Sequence, residues 1–585
     1  MKLSDLVASR YRDFGIERVY GLQGGAAVHL FDSFTRYGLS CIYFHHEQSA
    51  ALAAVADAKV SKIPGAVLVT TGPAGTNAIT GLLSAWQESV PCIFLSGQAR
   101  KEQTSYGKPI RQHGSQECAI IDIVKPITKA TYFVEDPESV SGVLDEAFNT
   151  AISGRPGPVW IDLPVNLQWS NVSQPAARLK LVDQNAVYKD KDCLARLASL
   201  VSRSIKPLLI LGNGVHLSNT EVPILGIANE LEWPFVLTWN SADLAPTDHL
   251  RNLGVIGVFG QAGANLACFN ADLLLCLGTN LSIMQTGSSA IPYAPDSVKI
   301  SVTNDVNQVA ISRAKFDLTI DMDLRIFMPE FMAIAKDFGQ TSWKADELVS
   351  LKRKNARGTV DLERPEVNVV GGLSADSTVR MFTTLLNEDW DIVIDGGGTA
   401  LYAGHQSTLC RGYPQRIICS SSISSMGTGM AESVGVALAR RNSRKVACII
   451  GDGSFLMNIR DLATLVQEKI AGIIVVINNA GYLAIRHTQK DFLDSRFYGT
   501  DKNNGLHIPA FGQIVKGMGA KYRKVSTYAA LKKATNEFKK IETICVLDVE
   551  VSASSDTLFK QRSLMNPDGT SSTLPLSIMD PNYCD

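Results

Sequence analysis

Two short polar stretches in the last third of the chain have residue types suited to holding a metal-bound anion: Gly451-Asp452-Gly453-Ser454 and Asn478-Asn479. Each follows an apolar, β-branched run, residues 446–450 and 473–477, and between them Leu462, Leu465 and Val466 fall at helical spacing. Two parallel strands joined by such a helix set their C-terminal tips side by side, at the edge where open α/β sheets bind ligands. Asp452 and Asn479 are then neighbours in space. A carboxylate, an amide oxygen and a nearby backbone carbonyl form a hard oxygen set that suits magnesium. Gly453 and Ser454 open a helix whose free N–H groups suit a diphosphate. The stretch therefore reads as a seat for a diphosphate carried on magnesium. The plainer alternative is an ordinary strand–turn–helix with a tight turn.

The elements that position these tips recur along the chain. Residues 1–170 alternate strands and helices, and each strand ends in a polar or Gly-rich cluster: Gln23-Gly24-Gly25-Ala26, His45-His46-Glu47-Gln48, Thr70-Thr71-Gly72-Pro73-Ala74-Gly75-Thr76-Asn77 and Ser96-Gly97-Gln98. A polar linker over 171–190 precedes a second α/β unit over 191–345, with buried-strand patterns at 207–211 and 272–277. A charged stretch over 346–370 reads as a second linker. The third unit, 371–552, carries the opening motif. The Ser-, Pro- and Asp-rich tail, 553–585, reads as mobile or as a lid. The expected fold class is α/β, with three doubly wound parallel-sheet domains; the first and third share a plan and hold one ligand between them.

Composition excludes several classes. The 585 residues are 45% hydrophobic and 19% charged, with a formal net charge of −1, so no bulk field draws nucleic acid or a membrane surface. No apolar run reaches the roughly 20 residues that span a bilayer, and residues 1–19 do not read as a signal peptide. The eleven cysteines form no CxxC pair. They suit reduced thiols in a cytoplasmic protein rather than a zinc site.

With HHEQ, TTGPAGTNAITG, SGQ, GRPGPVWIDLP and GDGS…NN in that order, the chain resembles the thiamine-diphosphate enzymes of the acetolactate synthase large-subunit branch. The resemblance implies a pyrimidine-binding, a central and a diphosphate-binding domain. It also implies a homodimer or dimer of dimers, whose active site lies between the first domain of one subunit and the third of another. Glu47 would contact the cofactor's pyrimidine and activate its thiazolium carbon, where the bland reading is a helix cap. Met426 would hold the cofactor bent, or is simply core. Thr71, Gly72, Asn77, Gly398, Thr399, Gly453, Ser454 and Tyr482 would line the cofactor, and the Gly481 carbonyl would join Asp452 and Asn479 on Mg2+. Gln116 aligns with a substrate-channel glutamine. Gly24 and Gly25 place backbone N–H groups near the developing alkoxide, or form only a tight turn. Arg111 and His113 read equally as channel or solvated loop residues, and His45, His46 and His487 as relays or structural groups.

Three positions depart from the synthase pattern. Ser115 replaces an aromatic residue before the channel glutamine, and Thr488 replaces a tryptophan that selects the acceptor. A site without these walls is wider and more polar. The segment 278–285 lacks the arginines with which the synthases bind FAD, and residues 303–306 are also altered. This leaves FAD, another nucleotide or no ligand as the choices for the central domain. The expected function is carboligation: a 2-keto acid such as pyruvate is decarboxylated, and its two-carbon unit passes to a carbonyl acceptor. A keto-sugar nucleotide is one such acceptor, and Arg111 and Arg486 suit its phosphates. The competing readings are acetolactate synthase proper, a keto-acid decarboxylase or C–C hydrolase, and a non-catalytic cofactor-binding paralogue. No GxGxxG with a downstream acid supports a nicotinamide dehydrogenase.

Overall fold

The computed structural model describes residues 1–173, 192–336, 338–339, 341–355, 373–553, 559–566, 568 and 570–579. Three six-stranded sheets dominate, and every pairing within them is parallel. Strands such as Cys92–Gln98, Leu273–Leu277 and Gly472–Asn478 are apolar and buried nearly end to end, as expected of a sheet covered by helices on both faces.

The first sheet runs, in space, Ser40–Tyr43, Arg18–Gly21, Gly65–Val69, Cys92–Gln98, Pro158–Pro164, Ala130–Phe133. The third runs Ile417–Ile418, Trp390–Ile394, Lys445–Gly451, Gly472–Asn478, Ile544–Glu550, Lys521–Val525. Numbered within their own units, both follow the order 2-1-3-4-6-5, the common plan expected from sequence. The second sheet follows 3-2-1-4-5-6, with Pro207–Leu211 beside Leu273–Leu277 at its centre. In each sheet the strand order reverses beside the first strand, which opens a crevice at the strand tips.

Helix Glu47–Ser61 is the main bridge between units. Six alanines let it approach other backbones closely, and it packs along Thr428–Ala439 of the third unit; both contribute to one apolar core. Gly435 makes this approach possible, because a Cβ there would stand 2.1 Å from the Ala53 carbonyl oxygen.

Two stretches differ from the sequence reading. Residues 346–355, read as the start of a linker, belong to helix Ala345–Asn355, which buries Leu348 and Leu351 against the second unit. Its charges misled because some of them serve packing: Lys352 donates to the Thr247 and His249 carbonyls and Glu347 pairs with Lys206. In the tail, Phe559, Leu576 and Met579 pack into the same core, and Ser563–Met565 pairs with Ser571–Thr573. Most of the first linker, the rest of the second and residues 554–558 and 580–585 of the tail lie outside the described residues.

Candidate active site

Asp452 and Asn479 sit at the tips of adjacent strands and are 2% and 5% exposed. One Asp452 oxygen accepts the Gly453 N–H at 2.7 Å, and the other accepts the Gly481 N–H at 3.0 Å, so the carboxylate clasps the two loops together. Burial pushes its pKa up to about 6 against these backbone donors. The Asn479 Oδ1 is buried with no hydrogen-bond partner. A buried acceptor left in this state costs about 1–3 kcal/mol, and a cation removes that cost. Gly481, at φ +153°, is required for close packing, because a Cβ there would meet the Thr500 carbonyl oxygen at 2.0 Å.

Met426, Gly453 and Tyr482 converge beside this pair. A Cβ on Gly453 would lie 2.3 Å from the Tyr482 ring and 3.3 Å from the Met426 methyl, and one on Gly397 would lie 2.4 Å from Met426 Cγ. Met426 is therefore held between two glycines, beside the metal-ligand loop, and is not a core methionine; it is only half-buried. Gly398, in the left-handed region at φ +58°, opens helix Gly398–Ser407 with Thr399 next to it, and a Cβ on Gly398 would point into open space.

Two residues that sequence reasoning passed over organise this wall. Asp395, fully buried, accepts N–H bonds from Gly397 (3.2 Å) and Gly429 (3.0 Å) and a bond from the Ser454 hydroxyl; burial pushes its pKa up to about 6. Ser454 thus ties two turns together with its side chain. Asn458 donates to the Gly427 carbonyl at 2.6 Å, beside Met426. Asp395 directly precedes the Gly-rich turn, the one signal that could have singled it out. Asn458 had none.

The other residues gather at the tips of the first sheet. Glu47 is 6% exposed and accepts the Asn77 Nδ2 at 3.0 Å. The helix-cap alternative does not hold, because His46 Nδ1 accepts the Gln48 N–H and caps the helix itself. The Thr71 hydroxyl lies 2.6 Å from Gln98 Oε1 and 3.1 Å from the Gln116 carbonyl. Gly72, at φ +69°, presses its Cα against that carbonyl, and Gln116 takes φ +58° with its side chain exposed. Gly24 packs on Thr70, where a Cβ would be 2.4 Å away, while Gly25 faces open space in a short 3-10 turn. Among the described residues no hydrogen bond or ion pair joins this group to the Asp452 group. Arg486, offered above for an acceptor's phosphate, is engaged with Asp501 and the Ala553 carbonyl; Arg111 is exposed.

Three family descriptions match the chain: "Thiamine pyrophosphate enzyme, N-terminal TPP binding domain" over residues 1–124, the central domain of the same enzymes over 194–331, and the C-terminal TPP binding domain over 395–549. The chain belongs to the thiamine pyrophosphate enzymes. It is similar to the acetolactate synthase large subunit of Lactococcus lactis, at 29% identity over 524 residues covering 87% of each chain. It is also similar to that of Haemophilus influenzae, at 27% with 94% of each chain covered. The isozyme 3 large subunit of Escherichia coli matches at 27% with 88% of each covered. The enzyme is thiamine-diphosphate-dependent and acetolactate-synthase-like, with magnesium as the companion ion.

The donor set fits that ion. Asp452 and the orphaned Asn479 oxygen stand at neighbouring strand tips, on a loop that Asp452 already clasps through the Gly481 N–H, and are oxygen donors of the type magnesium prefers. Replacing Asn479 by alanine is expected to weaken Mg2+ affinity at least about tenfold. The unfolding midpoint of the metal-free protein should not fall, because Oδ1 makes no protein bond to lose. Magnesium titration followed by tryptophan fluorescence, with metal-free melts alongside, checks both.

Flavin fits less well. The tips of the second sheet open onto a cleft of about 1090 Å3, ample for a dinucleotide. Its cations are already committed: Arg155 to Asp305 and Gln308, Arg325 to Asp323, and Lys129 to the Thr150 and Ser153 carbonyls. Asp305 and Asp323 line the same cleft, so a diphosphate would meet carboxylates, and the two arginines there are already paired with them. The purified enzyme is expected to lack visible flavin absorbance; stoichiometric flavin bands would contradict this charge argument.

Proposed function

We propose that this enzyme is a carboligase that takes the two-carbon unit of pyruvate, or of another small 2-keto acid, and adds it to a carbonyl acceptor bulkier and more polar than a second keto acid. The observation that carries the reading is Thr488. It is exposed on helix Leu483–Phe492, which begins directly after Tyr482, and its hydroxyl turns back to the Ala484 carbonyl at 3.2 Å, so no aromatic wall rises from this position. Ser115, also exposed, likewise puts no aromatic ring before Gln116. Arg111 adds an exposed cation to the same loop, and guanidinium suits the phosphates of a keto-sugar nucleotide.

Thiamine diphosphate, when bound, supplies the carbon nucleophile and the electron sink. This chain's part is to bind, orient and move protons. Asp452, Asn479 and Gly481 would hold the metal, and Met426, held between Gly397 and Gly453, would bear on the cofactor. Glu47, buried and fixed by Asn77, would relay a proton to and from the pyrimidine nitrogen. We place Glu47 and the metal loop in one site across a subunit boundary, with the first unit of one protomer facing the third unit of its partner.

The test is product identification with labelled pyruvate, alone and with a panel of carbonyl acceptors. The reading expects slow turnover with pyruvate alone and rapid ligation once a polar keto-sugar is supplied. Fast acetolactate formation from pyruvate alone would make the enzyme a synthase like its named relatives. Acetaldehyde as the sole product would make it a decarboxylase.

A further inference from the structure

We propose that Asp162 and Gln98 are positioning residues for the loop that carries Gln116, acting in part through the Thr71 hydroxyl. The inference rests on the reading of Gln116 as a residue of the substrate channel.

Asp162 lies on strand Pro158–Pro164 and is fully buried, paired in register with Ser96 on Cys92–Gln98. The Trp160 indole N–H donates to Ser96 Oγ at 2.9 Å, so the serine proton goes to Asp162 Oδ1, 2.6 Å away. The second carboxylate oxygen accepts Gln98 Nε2 at 2.9 Å, and the same nitrogen donates to the Cys118 carbonyl at 2.8 Å. With both amide protons taken, Gln98 Oε1 must face the other way. There it accepts from the Thr71 hydroxyl at 2.6 Å and from the Ala99 N–H at 2.9 Å. Every donor and acceptor of the Gln98 amide is used, so a flip would set like poles against each other. Because both oxygens of Asp162 only accept when ionised, the carboxylate dictates which way the amide points.

The consequence falls on the loop. Gln98 holds the Cys118 carbonyl directly and takes the single proton of the Thr71 hydroxyl, which pins the turn that Thr71 shares with Gly72. Gly72 in turn closes on the Gln116 carbonyl, where a Cβ would be 2.3 Å away. Gln116 sits between these anchors at φ +58°, a conformation that a non-glycine residue keeps only when its surroundings impose it. A buried carboxylate thus sets the backbone of an exposed residue two strands away through one amide and one hydroxyl.

The experiment uses the full-length holoenzyme and the variants Gln98→Leu, Thr71→Val, their double, Thr71→Ser and Asp162→Asn. Amide hydrogen exchange of residues 112–118 reads the anchoring. Acceptor KM and kcat at saturating pyruvate read the role. Gln98→Leu and Thr71→Val should each speed exchange in that segment and raise acceptor KM. A misplacement of this kind costs up to about a hundredfold in kcat/KM for the acceptor, and donor decarboxylation should stay near the parent rate in Gln98→Leu. Thr71→Ser should restore both readouts, and Asp162→Asn should move exchange the same way by less. The double variant should be little worse than either single, because the two groups act in one chain. Unchanged exchange in Gln98→Leu, or strictly additive effects, would overturn the proposal. If Gln98→Leu does not fold, the Thr71→Val and Thr71→Ser pair decides the hydroxyl step. Should the parent enzyme ligate no acceptor at all, the carboligase reading fails separately, and exchange still decides the anchoring.

Discussion

Glu47→Gln is expected to lower turnover by about 10²–10⁴-fold while changing the affinity for thiamine diphosphate and magnesium no more than a few-fold. Glutamine keeps the length of the side chain and an oxygen for Asn77, which now donates to the Glu47 carboxylate at 3.0 Å. It cannot exchange a proton with the cofactor. The helix start is not at risk, because the His46 ring, not Glu47, provides the cap. The loss should therefore be chemical and not structural. Proton exchange at the thiazolium carbon, followed by NMR, should slow with turnover. A decrease of less than about tenfold would remove Glu47 from the acid–base role.

The second large effect is on stability, at a point where the three units meet. Asp243 is fully buried. Its Oδ1 lies 2.6 Å from His216 Nε2, and its Oδ2 accepts from Arg416 Nε at 2.7 Å and the Ile417 N–H at 2.8 Å. The other His216 nitrogen lies 2.9 Å from Glu221, which is paired with Lys62, and Arg416 also donates to the Lys59 carbonyl. Helix Glu47–Ser61 and the residue after it, the second unit and the third unit are thus joined through one carboxylate. Removing one partner of a buried ionic cluster costs about 3–5 kcal/mol, since the remaining charges stay buried without compensation. Asp243→Ala should lower the denaturation midpoint accordingly. Burial works against the charged form of Asp243, but His216 and Arg416 outweigh it and hold the carboxyl well below its usual range. A depressed folded-state pKa contributes stability that is complete above the unfolded value, near pH 4, and lost as pH falls toward the folded value. Acid unfolding curves should therefore be shallower below about pH 4 in Asp243→Asn than in the parent. Equal curves would mean that the cluster does not report through this group.

The strand tips were legible because chemistry and turn coincide there. GDGS and Asn-Asn mark the ends of adjacent parallel strands, and the Gly-rich clusters after residues 22, 69 and 95 mark the same edge of the first sheet. What stayed hidden depends on partners distant in sequence. Nothing near Asp243 announces Arg416, and nothing near Asn458 announces the Gly427 carbonyl. His46 read as a relay or a structural group and is a cap, a distinction that rests on one ring nitrogen. Helix Ala345–Asn355 was hidden by its own charges, since two buried leucines make a narrow apolar stripe. Arg486 suited a phosphate on residue type alone, and only the fold reveals its engagement with Asp501.

The account depends most on a site built from two chains, with Glu47 of one protomer serving the metal loop of its partner. Mixing Glu47→Gln with Asn479→Ala after joint unfolding and reassembly, at a magnesium concentration too low to load the Asn479→Ala site, tests this directly. Each mixed pair would contain one site with both groups intact. Random pairing in a two-fold dimer then predicts recovery to about a quarter of the parent turnover. No recovery above the two variants assayed apart, with mixed oligomers demonstrated by mass, would contradict the shared site.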